Sequence, residues 1–281
     1  MTNSATTQGA ARQLPIRQVE KVWGRDELPE TFPTSEGKRI GEIWFEPPSE
    51  LPDLLVKYLF TSEKLSVQVH PADHSALGDE KGKEECWLVL DAEPGAKLAI
   101  GFKKEETRTR IEEAARDGSI EDLLAWYDAK AGDIFYLPAG TVHAIGPGLS
   151  LVEVQQNSDT TFRLYDYGRP RELHLARAIA VADCVTYPAE CRSHISRRGT
   201  TLIDGPHFRL DRIEGSPDSN VSAAYTGGLL VLPLEGEVHV KAGGPSCGPG
   251  KCLYSRELKA LDFSRAGITL LIQSKQRGPT T

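Results

Sequence analysis

The chain has 281 residues, of which 39% are hydrophobic and 26% charged, and its formal net charge is −7. This size suits one large or two medium globular domains, and the acidic balance argues against nucleic acid and anionic membranes as partners. No apolar run approaches the roughly 20 residues that cross a bilayer, so no membrane is expected as a partner.

The first residues are small and polar, and they lack the apolar stretch of a secretion signal. Residues 1–13 are therefore predicted to form a flexible tail. The five cysteines are an odd number and form no Cys-x-x-Cys pair, which favours a reduced, cytoplasmic protein.

Short β-strands are predicted through most of the first half, because aliphatic and aromatic runs alternate with turn-forming Pro, Gly and Asp. The predicted strands cover residues 40–45, 54–60, 65–70, 85–90, 96–102, 133–137, 149–155 and 161–165. Many short strands with regular turns are typical of β-sandwiches and jelly rolls.

One of these strands, residues 65–70, carries an unusual polar face. Apolar residues alternate in it with Ser66, Gln68 and His70, and Pro71 ends it because proline cannot donate to a sheet ladder. Polar groups that point out of a sheet are costly to bury unless something occupies the space they face. The pattern therefore predicts a bound metal ion and a substrate beside this strand.

Residues 103–128 interrupt the strand pattern. Thr109 and Glu112, then Ser119 and Asp122, have the spacing of capping boxes, and apolar residues recur between and after them at helical intervals. Two short helices are predicted here, as an insert in a β fold. A further helix is predicted over residues 170–183, which are rich in helix formers.

The second half of the chain is predicted to be a separate β domain. Residues 186–200 look like a basic linker, and from about residue 200 Gly- and Pro-containing turns separate short apolar runs. The sequence thus predicts a first domain over residues 14–185 with a helical insert, and a C-terminal β domain over residues 200–281.

The most specific motif is Gly132-x5-Pro138-x-Gly140-x2-His143. It resembles the second signature of the cupin family, whose small jelly-roll barrel holds a metal. Gln68 and His70, followed fifteen residues later by Glu85, match the first signature. The resemblance implies a mostly β cupin barrel, with a degenerate, metal-free cupin-like domain after it.

Two histidines and a carboxylate suit a divalent ion such as Zn²⁺, with Gln68 or water completing the shell. The predicted ligands are therefore His70, Glu85, His143 and, less directly, Gln68, around one Zn²⁺ per chain. The same donors also suit Fe²⁺, so the residues alone leave the metal open.

A closer resemblance rests on four motifs in order: residues 65–71, 82–87, 137–145 and 155–167. They are similar to the short bacterial form of type I mannose-6-phosphate isomerase. The match covers residues 15–180 and continues weakly through the C-terminal β domain. That family interconverts mannose 6-phosphate and fructose 6-phosphate by aldose–ketose isomerisation through an enediol, so a phosphorylated sugar is the implied partner.

Carried over by motif, Arg163 matches the family's catalytic arginine, Lys83 a lysine beside the metal glutamate, and Ser66 a serine of the phosphate pocket. Ser66, Lys83 and Arg163 are thus the expected substrate-binding residues. Lys83 is expected to have a lowered pKa near the ion and to carry a proton. Glu153 is an alternative base, because its strand is expected to run near the site.

Two other functions fit the cupin pattern: an iron-dependent oxygenase and a non-catalytic sugar-binding protein. Lys83 and Arg163 together favour a phosphorylated substrate, which an oxygenase would not require. A binding protein would need neither a metal nor a proton carrier. Both a monomer and a homodimer remain open.

Overall fold

The structure is a computed structural model that describes residues 11–33, 37–195, 200–241 and 243–275. The strands are β1 (Ala11–Gln13), β2 (Ile16–Arg25), β3 (Ile40–Phe45), β4 (Leu54–Phe60), β5 (Val67–Val69), β6 (Glu85–Ala92), β7 (Lys97–Phe102), β8 (Leu124–Asp128), β9 (Asp133–Leu137), β10 (His143–Ile145), β11 (Leu149–Gln156), β12 (Phe162–Tyr165), β13 (Arg192–His194), β14 (Thr200–Asp204), β15 (Phe208–Glu214), β16 (Leu229–Pro233), β17 (Gly236–Val240), β18 (Ser246–Cys247), β19 (Leu253–Ser255), β20 (Leu261–Ala266) and β21 (Ile268–Ser274). The α-helices are α1 (Arg108–Asp117), α2 (Ile120–Leu123), α3 (Leu175–Val181) and α4 (Ser219–Ala224), and short 3₁₀ turns cover Asp73–Ser75, Ala189–Cys191 and Leu258–Ala260. The predicted mostly β fold is confirmed.

One compact unit consists of Arg17–Trp44 and Asp53–Ile195. Its first sheet has the strand order β13-β9-β6-β11-β4-β3-β2, and its second has the order β12-β5-β10-β7-β8. An apolar core lies between the sheets, with Trp87 and Phe135 from the first sheet and Leu98 and Ile100 from the second. Facing sheets with alternating apolar residues are the arrangement expected of a jelly-roll barrel.

The other face of the second sheet is covered by α1 and α3. Val67 and Val69 of β5 pack there against Ile111, Ala114 and Ala178. Successive strand side chains point to opposite faces. The polar residues of this stretch therefore point into the barrel.

The helical insert is shorter than predicted. The side chain of Thr107, not Thr109, caps α1 by accepting a hydrogen bond from the Arg110 backbone N–H, and Gly118 ends the helix with a φ of 87°. After the single turn α2, Leu124–Asp128 forms strand β8 and pairs with β7, where the second of the two predicted helices was expected to continue. The edge of β7 supplies hydrogen-bond partners for the backbone of residues 124–128. The spacing of apolar residues over so short a stretch fits both a helix and a strand.

Three other expectations need correction. Residues 11–13 of the predicted tail form β1 and pair with β19, while residues 1–10 lie outside the described residues. Within the predicted linker, β13 pairs with β9, and residues 196–199 are outside the described part. The helix predicted from residue 170 begins only at Leu175, because His174 is held in a non-helical conformation.

The second unit includes, among the described residues, 11–16, 45–52, 200–241 and 243–275. Its sheets have the orders β1-β19-β16-β21-β15-β14 and β18-β17-β20, around a core that contains Leu229, Val238, Leu253 and Leu271. The predicted division at residues 14, 185 and 200 stays a prediction. In the described part of the chain, every helix is too short or too polar to cross a membrane.

Candidate metal centre and active site

His70, Glu85 and His143 come together inside the barrel of the first unit. His70 directly follows β5, Glu85 opens β6 and His143 opens β10. One nitrogen or oxygen atom from each side chain lies within 4.8 Å of those of the other two. All three are buried, at 1–2% exposure. The sequence-predicted histidines and carboxylate therefore converge on one point.

The distances within this cluster suit a shared cation. His70 Nε2 lies 3.5 Å from Glu85 Oε2, and His143 Nε2 lies 3.4 Å from Glu85 Oε1. The two imidazole centroids are 4.9 Å apart. Nitrogen and oxygen donors at this separation can each approach one ion at its bonding distance of about 2 Å.

The backbone orients both imidazoles toward the cluster. His70 Nδ1 lies 2.8 Å from the Thr160 carbonyl oxygen, and His143 Nδ1 lies 2.9 Å from that of Thr141. Because a carbonyl oxygen can only accept, each Nδ1 carries the proton and donates it. Each Nε2 is then left with a lone pair that faces Glu85, as a metal-binding imidazole requires.

Glu85 supplies the clearest sign that the cluster fits a metal. Both of its carboxylate oxygens are buried, and neither accepts a hydrogen bond of good geometry from any described residue. Lys83 Nζ lies 2.8 Å from Oε2 and forms an ion pair with it. A buried carboxylate short of donors is costly, and a divalent cation between it and two Nε2 atoms would satisfy it.

The charges around Lys83 shift its pKa in the opposite direction to the one expected from the sequence. Burial by itself lowers the pKa of the Lys83 amine, but the charges of Glu85 and Glu153 outweigh burial and raise that pKa. The ammonium Nζ also lies 3.1 Å from His70 Nε2. The predicted lowering of the pKa of Lys83 therefore depends on the charge of a bound metal and stays a prediction for the metal-loaded protein.

Gln68 lies at the edge of the cluster. Its Oε1 accepts a hydrogen bond from Ser66 Oγ at 3.1 Å, and its Nε2 lies 3.2 Å from His143 Nε2. Exchanging the amide O and N by a rotation would turn the oxygen toward the imidazole and the ion site. A role for Gln68 as the fourth ligand stays a prediction.

A cavity of about 290 Å³ opens beside the cluster. The residues that line it are Lys21, Trp23, Glu42, Trp44, Lys57, Leu59, Leu65, Ser66, Gln68, Lys83, Trp87, Ile145, Glu153, Asp159, Thr161, Arg163 and Arg171. Every predicted substrate-binding or catalytic residue is among them. A larger cavity of about 610 Å³ lies in the second unit, and none of its lining residues belongs to the unit that holds His70, Glu85 and His143.

Lys57 and Glu42 are site residues that the sequence analysis missed. Lys57 is 5% exposed and lies in β4, whose other residues are aliphatic or aromatic. Glu42 is 8% exposed in the similarly apolar β3 and accepts a hydrogen bond from Trp44 Nε1 at 2.7 Å. A single charge inside an apolar strand was the signal that could have identified both, since charged residues are rarely buried without a partner.

Glu153 is fixed by partners on both neighbouring strands. Its Oε1 accepts a hydrogen bond from Lys57 Nζ at 3.0 Å, and its Oε2 accepts one from Trp87 Nε1 at 3.1 Å. In the sheet register Glu153 lies opposite both Lys57 and Trp87. Hydrogen bonds to both carboxylate oxygens hold Glu153 in one orientation at the cavity wall.

Arg163 faces the cavity from β12, opposite Gln68 in the sheet. Burial, followed by the charge of Arg171, lowers the pKa of its guanidinium. Its Nε is buried and has no hydrogen-bond partner among the described residues. His174 holds the backbone in place: its Nδ1 accepts from the Arg163 N–H at 3.1 Å and its own N–H donates to the Arg163 carbonyl at 2.8 Å. A guanidinium with an unpaired Nε in a cavity is suited to binding an anionic ligand.

Because the imidazoles of His70 and His143 are buried, we expect the metal-free protein to lose stability as the pH falls. Burial lowers the pKa of His70 well below its ordinary value, and burial also lowers that of His143 against the opposing charge of Glu85. Below about pH 6.5 the unfolded chain therefore binds protons that the folded chain does not. The free energy of unfolding should be constant just above that pH and fall below it, by up to about 1.4 kcal/mol per pH unit for each imidazole.

Urea unfolding of the metal-free protein between about pH 7.5 and about pH 5 measures this slope, above the range in which ordinary carboxylates titrate. Replacing His143 with Gln should reduce the slope by about a third, because burial also lowers the pKa of His174 and one of three such imidazoles is removed. A free energy of unfolding that did not change across this range would contradict the prediction.

Comparisons with known proteins show which family the chain resembles. The chain is 39% identical over 208 residues to "Mannose-6-phosphate isomerase ManA" of Bacillus subtilis, which is 68% of this chain and 64% of that protein. It is 39% identical over 219 residues to "Mannose-6-phosphate isomerase" of Streptococcus mutans, which is 72% of this chain and 67% of that protein. The match to ManA thus spans less than two thirds of that relative's length. No protein-family model matches the chain.

Solved structures show the same fold. A crystal structure of mannose 6-phosphate isomerase from Bacillus subtilis superposes with a TM-score of 0.77 and 25% identity, over 94% of this chain and 99% of that one. A structure titled as a holo, zinc-bound mannose 6-phosphate isomerase superposes with a TM-score of 0.69 at 13% identity, over 95% of this chain and 100% of that one. The resemblance predicted from four sequence motifs is confirmed, and the chain belongs to the mannose-6-phosphate isomerase family.

Proposed function

We propose that this chain is a zinc-dependent aldose–ketose isomerase that interconverts mannose 6-phosphate and fructose 6-phosphate. The observation that carries the proposal is the buried cluster of His70, Glu85 and His143, beside a cavity whose lining includes five basic side chains. Relatives 39% identical to this chain bear the name of that activity.

The donor set supports zinc as the metal, held by His70, Glu85 and His143 with Gln68 as the fourth ligand. Two neutral imidazoles and a carboxylate, with a position left for an oxygen ligand, are typical of catalytic zinc. When bound, zinc supplies a Lewis acid that stabilises negative charge on the sugar oxygens.

The charges that line the cavity support a phosphorylated substrate. Among the described lining residues, the basic ones are Lys21, Lys57, Lys83, Arg163 and Arg171, and the acidic ones are Glu42, Glu153 and Asp159. We propose that Arg163 and Ser66 hold the phosphate. The planar guanidinium of Arg163 matches phosphate oxygens and has an unused Nε.

The isomerisation moves a proton between C1 and C2 of the sugar, so it requires a group that can accept and return a proton. Glu153 and Lys83 both line the cavity and both qualify by position. The carboxylate of Glu153 is held in one orientation by Lys57 and Trp87. The ammonium of Lys83 is suited to neutralising charge on oxygen, since Glu85 and Glu153 keep it protonated.

The test is a coupled assay of the purified chain with mannose 6-phosphate. We expect fructose 6-phosphate to form, the activity to disappear after treatment with a chelator, and zinc to restore it. Oxygen consumption by the iron-loaded protein would instead support an oxygenase. A zinc-loaded protein that binds the sugar phosphate without turnover would support a binding protein.

A further inference from the structure

The segment between two of the proposed metal ligands forms a closed loop. His70 directly follows β5 and Glu85 begins β6, and the loop between them returns so that Lys83 N–H donates to the Pro71 carbonyl at 3.0 Å. The distance between the two ligands is therefore determined by whatever holds the two ends of this loop together.

Gln156, at the end of β11, contacts both ends of that loop. Its Oε1 accepts from the Glu84 backbone N–H at 2.9 Å, and its own backbone N–H donates to the Glu84 carbonyl at 3.1 Å. Its Nε2 donates to Asp73 Oδ2 at 3.2 Å. Gln156 is buried, where an amide needs hydrogen-bond partners, and Glu84 and Asp73 supply them to its oxygen and its NH₂ group.

Asp73 completes the connection. Its other oxygen, Oδ1, accepts from the Gly82 backbone N–H at 2.9 Å. The chain passes so close that a Cβ on Gly82 would lie 2.4 Å from Oδ1, so only glycine fits there. One carboxylate thus joins the segment after His70 to the segment before Glu85.

The orientation of the Gln156 amide is unambiguous. A backbone N–H can only donate, so the atom that faces Glu84 must be the amide oxygen. The NH₂ group then faces Asp73, where a carboxylate can only accept. The pair therefore has a defined direction, with Gln156 as the donor and Asp73 as the acceptor.

We infer that Gln156 and Asp73 are positioning residues, which set the separation of His70 and Glu85 through the Asp73–Gln156–Glu84 hydrogen bonds. Neither side chain contacts the ion site. The inference rests on the proposed metal centre and adds residues to it. Groups that orient metal ligands from outside the coordination shell typically contribute about 10- to 100-fold to metal affinity.

Because Gln156 is the donor and Asp73 the acceptor, a pair of substitutions can exchange these two roles. Gln156→Glu keeps an acceptor for Glu84 but places a carboxylate against that of Asp73. Asp73→Asn keeps an acceptor for Gly82 but places its NH₂ against that of Gln156. The double variant Asp73→Asn/Gln156→Glu restores every hydrogen bond, with donor and acceptor exchanged. Asp79→Asn, in the same loop, makes the same charge change as Asp73→Asn and is the matched control.

The measurement is the zinc dissociation constant, obtained by competition with a chromophoric chelator, together with kcat, KM and the unfolding midpoint of the metal-free protein. Each single variant should bind zinc about tenfold more weakly. The double variant should return to within about threefold of the unmodified chain, and Asp79→Asn should not change the affinity.

Two results would overturn the inference. One is single variants that bind zinc with unchanged affinity, whatever their unfolding midpoint. The other is a double variant that binds zinc as weakly as the single variants. If the unmodified chain itself bound no zinc, the proposed metal centre would fail first. Normal zinc binding in all variants would refute only the role of Asp73 and Gln156.

Discussion

Replacing His143 with alanine is expected to abolish both zinc binding and isomerase activity. The substitution removes one of two imidazole donors and leaves Glu85, already 1% exposed and short of hydrogen-bond donors, with one imidazole and Lys83 beside it. Loss of a group outside the coordination shell already lowers metal affinity by about 10- to 100-fold, so loss of a direct ligand should lower zinc affinity by more than about a hundredfold.

Metal content after dialysis, measured beside the isomerase rate, checks this result. His74→Ala is the matched control, since His74 is exposed on the turn after β5 and should retain both metal and activity. A His143→Ala protein that kept a full equivalent of zinc and its activity would remove this residue from the site.

Replacing Arg163 with alanine should leave zinc in place and remove most of the turnover. The guanidinium lines the cavity with an unpaired Nε, and it does not belong to the cluster that converges on the ion. Loss of one preorganised donor to developing or fixed negative charge typically lowers kcat by about 10²- to 10³-fold. If phosphate binding dominates its role, KM should rise as well.

Steady-state kinetics and zinc analysis of the same preparation separate these effects. Arg110→Ala, on the exposed face of α1, is the control for loss of a positive charge. An Arg163→Ala protein with a normal rate would show that the assignment of this arginine is wrong. One that lost zinc would indicate that Arg163 stabilises the metal centre.

Two of the structures expected from the sequence were wrong for the same physical reason. Residues 124–128 were expected in a helix, but they form β8 because the edge of β7 supplies hydrogen-bond partners that no local pattern reveals. Residues 11–13 were expected to be mobile, but they pair with β19, about 240 residues away in sequence. In each case a distant strand determined the structure.

Lys57 and Glu153 show the same limit within the site. They are 96 residues apart in sequence and form an ion pair only because β4 and β11 are adjacent in register. The strand pattern could show that each was an unusual charge in an apolar segment. It could not show that each satisfies the other.

The sequence by itself determined the chemical groups of the candidate site. These are two histidines and a glutamate at strand ends, with a lysine and an arginine. Side-chain alternation and local turns encode these features over a few residues, so they can be read without a structure. Only the tertiary structure decided that the three donors converge, that both imidazoles turn Nε2 toward Glu85, and that Asp73 and Gln156 connect the ends of the ligand loop. Those features depend on strand register and on backbone carbonyls far away in sequence, and the free energy of packing the whole barrel determines them.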